Sequence, residues 1–115
     1  MDNRRQVGVD GEDRAAEYLR REGYKIVERN WRTTLGELDI VASLGKELVF
    51  VEVRTLAGPN LLFPEESVGA GKQRRLARLA TAYVKQARYE GDWRIDVIAI
   101  DRDGLRHIEN AVSLW

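Results

Sequence analysis

A chain of 115 residues, 43% hydrophobic and 33% charged, has the length and apolar content of one folded unit, which excludes a disordered chain and a second full-sized domain. With no cysteine there is no disulfide, no thiolate metal site and no cysteine nucleophile, a composition that suits a reducing compartment. Nineteen basic and nineteen acidic residues cancel, so any attraction to nucleic acid has to come from local clustering.

The opening stretch, Met1 to Val9, is polar, carries Arg4 and Arg5, and has no apolar run resembling a signal peptide. No stretch approaches the roughly 20 apolar residues of a membrane span, so the expectation is a cytoplasmic protein without a membrane partner. A helix is expected from Asp10 or Gly11 to about Arg21, stopped by Gly23. Glu12, Ala16 and Leu19 share one stripe of it, which turns the Glu12 carboxylate inward, where an unpaired charge is costly.

Three strand-like runs follow, Tyr24 to Asn30, Glu37 to Ser43 and Glu47 to Thr55, the last two joined tightly enough to be antiparallel neighbours. Leu56 to Gly71 lacks a sustained period and reads as a long loop able to shape a binding groove. From Lys72 to Arg88, Leu76, Leu79, Ala80, Tyr83, Val84 and Ala87 recur at helical spacing, with Gly91 as the expected stop. A fourth strand, Trp93 to Asp101, and a short fifth, Leu105 to Glu109, follow across turn residues Asp103 and Gly104. The order is αβββαββ: an α/β fold with a mixed central sheet flanked by helices, its third and fourth strands forming a parallel pair across a right-handed crossover, in a single domain spanning 1–115. The last residues, Leu114 and Trp115, offer an apolar end either to the domain itself or to a homodimer.

The central hairpin carries the chemistry. A two-residue type II′ turn at Gly45 and Lys46 pairs Leu44 with Glu47, which sets Val41 opposite Phe50, Asp39 opposite Glu52 and Glu37 opposite Arg54 on one face. Leu38, Ile40 and Ala42 against Val49, Val51 and Val53 then make the core face. Two carboxylates directly across a strand pair repel unless a positive group lies between them. Mg²⁺ or Mn²⁺ is one such group, with Asp39 and Glu52 as ligands, the Val53 carbonyl as a third, and Glu12 reaching in from the first helix. Glu37 is expected to pair with Arg54 across the hairpin rather than to bind metal. The other reading makes Asp39 and Glu52 ordinary solvent-facing acids, or acids neutralised by Arg54 and another base. Against it stand the apolar run around Glu52, the apolar stripe around Glu12, and Arg54 two residues from Glu52 on the same face.

Six basic residues and no acidic one lie between Lys72 and Arg88. Such a helix is either a solvated face or a phosphate-binding one, the latter through Lys72, Arg74, Arg75 and Arg78. His107 stands in the short last strand with no partner evident from the sequence and is assigned no catalytic role.

Taken together, Gly11-Glu12-Asp13 with Ala15, Ala16 and Leu19, Gly23-Tyr24, Asn30, Gly36-Glu37-Leu38-Asp39-Ile40, Phe50-Val51-Glu52-Val53-Arg54-Thr55 and Arg94-Ile95-Asp96-Val97 make a set that is specific in order and spacing. On that set the chain resembles, over nearly its full length, the YraN-like family of uncharacterised bacterial proteins, grouped with Holliday-junction-resolvase-like members of the PD-(D/E)XK nuclease superfamily. The resemblance implies a restriction-endonuclease-like αβββαβ core and a Mg- or Mn-dependent endonuclease acting on structured or branched DNA. It casts Asp39 and Glu52 as metal ligands, Glu12 as the acid of the first helix, and Arg54 at the lysine position of the E-x-K triplet. Arginine keeps the charge and can bind phosphate in a fork, but it cannot act as a base at neutral pH. Lys72, one turn before Leu76 on the inward stripe, is a candidate substitute for that lysine, or else a solvated first-turn residue. The same resemblance accommodates a nucleic-acid-binding module that retains the fold and does no chemistry.

Overall fold

The structure, a computed structural model, describes residues 3–55 and 69–112, with side chains in the first helix described from Asp10 onward. Its elements run α1 (Asn3–Arg21), β1 (Lys25–Thr33), β2 (Gly36–Leu44), β3 (Glu47–Thr55), α2 (Ala70–Ala87), β4 (Trp93–Asp101) and β5 (Gly104–Ile108). This is the expected αβββαββ order, and the five strands form one mixed sheet in sequence order, consistent with a restriction-endonuclease-like core. Neighbouring strands are antiparallel except β3 and β4, which run parallel with α2 between them in the chain. The expected groove-shaping segment falls largely at 56–68, and Leu114 and Trp115 fall at the chain end; both lie outside the described residues.

Each helix covers one face of the sheet. Ala15, Ala16 and Leu19 of α1 pack on Ile40, Ala42, Val49, Val51, Ile98 and Ile100. Leu76, Leu79 and Ala80 of α2 pack on Val41, Leu48, Phe50, Ile95 and Val97. Full burial of side chains such as Leu19, Leu79 and Phe50 contributes roughly 1.5–3 kcal/mol each. Gly11 sets how closely α1 approaches the sheet, because a Cβ there would lie 2.2 Å from Thr55 Oγ1.

Element ends differ from the sequence expectation in physically readable ways. α1 begins at Asn3 rather than at Asp10 or Gly11, since its polar first two turns show no apolar stripe to announce them. Gly23 does stop it: at φ +92° it lets the Tyr24 N–H donate to the Leu19 carbonyl at 2.9 Å. α2 ends at Ala87, before Gly91, because Arg88 itself adopts the left-handed conformation at φ 54° and Tyr89 N–H closes onto the Val84 carbonyl at 3.0 Å. Ala70 and Gly71 belong to this helix rather than to the preceding loop. The last turn is Arg102-Asp103, with Gly104 already in β5 opposite Asp101.

The central hairpin has the expected register, Leu44 opposite Glu47 through Ile40 opposite Val51. Gly45 takes a positive φ of 60° and Lys46 does not, as a type II′ turn requires. Past Ile40 and Val51 the β2–β3 pairing stops, so neither Asp39 and Glu52 nor Glu37 and Arg54 are the ladder partners to which the register extrapolates. A second departure accompanies it. Asn30 adopts φ 56° inside β1, and around it the strict alternation of faces breaks. Arg29 meets α1, whereas Trp31, two residues on, packs edge-on against Tyr83 of α2 at 5.3 Å. In β2 likewise, Ile40 packs under α1 while Leu38 joins the α2 cluster, not the Ile40 face on which alternation placed it.

Candidate metal and phosphate site

The site lies where β2 leaves β3. In the gap beyond the last paired residues, the Asp39 carboxylate takes the place of a ladder acceptor: the Val53 N–H donates to its Oδ2 at 2.8 Å. The Glu52 carboxylate adjoins it, buried with only 8% of the side chain exposed. Burial first, and the neighbouring Glu52 charge second, push the Asp39 carboxyl from 3.8 up to about 8, partly offset by the Val53 hydrogen bond. A carboxylate pair in this state needs a proton or a cation to share.

Both helices reach this gap. From α1, Glu12 is held by Arg29 at 3.3 Å and bonded by Asn30, the residue whose left-handed backbone turns β1 at this point. Burial raises the Glu12 carboxyl above its ordinary range, with Arg29 opposing the shift. Arg29 also binds Asp13 at 2.7 Å, which fixes the guanidinium. From the first turn of α2, Lys72 Nζ lies 2.8 Å from Glu52 Oε1, and Arg54 of β3 stands 4.0 Å from the same oxygen. Glu37 binds Arg32 at 2.8 Å across β1 and β2.

The chemistry of the donors suits a hard divalent cation. Among the described residues, Glu12, Glu37 and Asp39 each present a carboxylate oxygen within 4.8 Å of the other two; Glu52 is outside that trio but adjoins Asp39. Such a set offers oxygen donors alone, which Mg²⁺ and Mn²⁺ accept together with water. Val53 contributes its N–H to Asp39, and its carbonyl sits on the same stretch of β3 next to Glu52.

Arg74, Arg75 and Arg78 are exposed on α2, the helix that carries Lys72 to the gap. Exposed guanidinium groups on a helix starting at the site can track a phosphate backbone, and carry no sequence information in doing so.

Sequence reasoning missed two features. The first is Glu37's place in the carboxylate group, which strand alternation ranked below a pairing with Arg54. The second is a buried network on the α1 side of β4, to which His107 belongs. Its Nε2 lies 2.7 Å from Asp96 Oδ2, and its Nδ1 lies 3.0 Å from the Tyr18 hydroxyl. A carboxylate only accepts, so Nε2 carries the hydrogen, and in the neutral ring the Tyr18 hydroxyl donates to Nδ1. Asp96, fully buried, also accepts from Arg94 Nε at 2.9 Å and from the Asn110 N–H at 2.9 Å. Burial acts to raise its carboxyl, but the bonds from His107, Arg94 and Asn110 outweigh that and hold it below its ordinary value. Arg94 extends the network to Glu47 and to the Tyr24 hydroxyl. The signal was available: a two-residue turn at Arg102-Asp103 sets His107 opposite Ile98, diagonal to Asp96.

Residues 11–100 match the family described as Uncharacterised protein family UPF0102. Among similar chains, the UPF0102 protein of Syntrophotalea carbinolica is 50% identical over 102 residues, covering 88% of this chain and 83% of its own. The UPF0102 protein of Thermodesulfovibrio yellowstonii is 43% identical over 106 residues, covering 92% and 95%. A solved chain, Pyrococcus furiosus SfsA in complex with Ca²⁺, overlaps 98% of this chain and 66% of its own at 15% identity and a TM-score of 0.34, a likeness too slight to bear on fold or site. No helix among the described residues is long and apolar enough to cross a membrane.

Proposed function

The chain belongs to the uncharacterised protein family UPF0102, and within it we propose a metal-dependent endonuclease that hydrolyses phosphodiester bonds in structured or branched DNA. One observation carries the reading: two adjoining carboxylates, Asp39 and Glu52, in a gap of the sheet that both helices reach with charged side chains. Asp39 and Glu52 would hold Mg²⁺ or Mn²⁺, with the Val53 carbonyl beside them. Such an ion, when bound, supplies a nucleophilic water at neutral pH and polarises the phosphoryl oxygens.

The remaining work falls to the chain's own residues. Arg54, with 27% of its side chain exposed, has room to bind a phosphate oxygen and to stabilise charge that develops at phosphorus. Glu12, kept in place by Arg29 and Asn30, holds a further negative group at the gap and orients water there. Arg74, Arg75 and Arg78 grip the backbone of the nucleic acid.

A nicking assay on supercoiled plasmid and a cleavage assay on four-way junctions, each with Mg²⁺ or Mn²⁺, test this. Cleavage by the wild type that falls by on the order of a hundredfold in Asp39→Asn and in Glu52→Gln supports it, since changes even outside the ligand set cost ~10–100-fold. Equal cleavage in the variants would remove the site. Arg54 at the lysine position favours a second reading, a DNA-binding module without chemistry. Junction binding with no cleavage under any metal, in the wild type and in Arg54→Lys alike, would select it.

A further inference from the structure

We propose that Lys72 is the resident counter-cation of this site, seated on Glu52 until a divalent cation displaces it, so that metal entry and release of the Lys72 ammonium are one event. The inference rests on reading Asp39 and Glu52 as metal ligands. Lys72 Nζ is 2.8 Å from Glu52 Oε1, with 25% of the lysine side chain and 8% of the glutamate exposed. Its direction is fixed by the helix: Leu76, one turn on, is buried under the sheet, and Lys72 shares its stripe. Lys72 thus reaches across to β3 while the next cations on α2, Arg74 and Arg75, stay exposed.

Of the two cations beside the Glu52 oxygen, Lys72 at 2.8 Å is in hydrogen-bond contact and Arg54 at 4.0 Å is not. Asp39 is occupied by the Val53 N–H, and Glu52 by Lys72. A divalent ion that uses the Glu52 oxygen cannot share it with an ammonium at hydrogen-bond distance, because two positive centres a few Å apart in a half-buried site repel strongly. Metal binding to the free protein therefore works against the Lys72–Glu52 bond. The displaced ammonium stays at the mouth of the gap on its flexible stem, where a phosphate oxygen of the bound backbone gives it a new partner. Metal and nucleic acid then favour each other's binding, and Lys72 is the residue that couples them. It is a positioning residue, distinct from Arg54, which has its own place on β3.

Titration calorimetry with Mn²⁺ on the free protein tests this. A charge-assisted bond of this kind is lost when Lys72 is removed, so Lys72→Met is expected to bind Mn²⁺ about tenfold more tightly than the wild type. Lys72→Arg, which keeps the charge, should stay within about threefold of the wild type. Lys85→Met, which removes an exposed charge from the last turn of α2, should leave affinity unchanged. Should Lys72→Met fold poorly, Lys72→Gln serves, read as a larger Mn²⁺-induced rise in Tm than the wild type shows. Wild-type binding that Asp39→Asn abolishes but Lys72→Met leaves equal or weaker would overturn the counter-cation while sparing the metal site. An absence of Mn²⁺ binding in every variant would overturn both.

Discussion

The Val53 N–H donates to the Asp39 carboxylate at 2.8 Å, at the point where β2 stops pairing with β3. An N–H that would otherwise belong to the ladder anchors an acid, and the strand that leaves the ladder supplies it. The same departure opens the sheet so that Glu12 from one side and Lys72 from the other meet the Asp39 and Glu52 pair.

The pH dependence follows from Asp39. Its carboxyl stands at about 8 in the folded chain against 3.8 ordinarily, so between those values the folded state holds a proton that the unfolded state has lost. Metal-free stability should therefore fall as pH rises through this window, and Asp39→Asn should flatten that fall in chemical denaturation. Metal binding expels the proton, so Mn²⁺ affinity should rise with pH and level off above about 8. A metal affinity independent of pH from 5 to about 8 would contradict the shared site.

The exposed arginines of α2 predict a salt effect. If Arg74, Arg75 and Arg78 each meet a phosphate, replacing one with alanine should lower the slope of log affinity against log salt by about 0.9 on duplex arms, alike for every sequence. Fluorescence anisotropy across a salt series reads this directly, and an unchanged slope in the triple variant would place the nucleic acid elsewhere.

Gly11 predicts a steric effect with a specific rescue. Alanine there gains about 1 kcal/mol of helix propensity but drives its Cβ into Thr55 Oγ1, an overpacking cost of about 1–3 kcal/mol. Gly11→Ala should be destabilised or shift α1 and Glu12. Thr55→Ala should relieve it, since the next contact, Thr55 Cβ, is an ordinary 3.5 Å away. Additive urea midpoints in the double variant would show that the two residues do not meet.

Asp96 predicts a stability effect without a site effect. Asp96→Ala leaves Arg94 and His107 without their buried carboxylate, a loss of about 3–5 kcal/mol. Because the folded carboxyl lies below its ordinary 3.8, the stability it contributes is present above that value and lost as pH falls further. Thermal unfolding measures the loss, and a Tm within about 1 °C of the wild type would show that the network is not structural.

Much of this was legible in the residues. The glycine-lysine turn sets the hairpin register as far as Ile40 opposite Val51, whereas Asp39 and Glu52 meet beyond it, where the ladder has ended. The four-residue spacing of Lys72 and Leu76 offers an inward direction for the lysine, but a solvated first-turn residue is the favoured expectation, and only the contact with Glu52 decides between them. What alternation could not convey was the left-handed Asn30, because strand periodicity assumes extended backbone throughout. That one residue accompanies the face change that sends Leu38 to the α2 cluster. The polar start of α1 was illegible for a simpler reason: without an apolar stripe, a helix leaves no period to read.

The most direct test of the central claim is an anomalous difference map from crystals soaked in Mn²⁺. The account predicts a peak in the gap beyond Ile40 and Val51, bound by carboxylate oxygens of both Asp39 and Glu52. A map with no peak there at saturating Mn²⁺, and Lys72 still seated on Glu52, would contradict it.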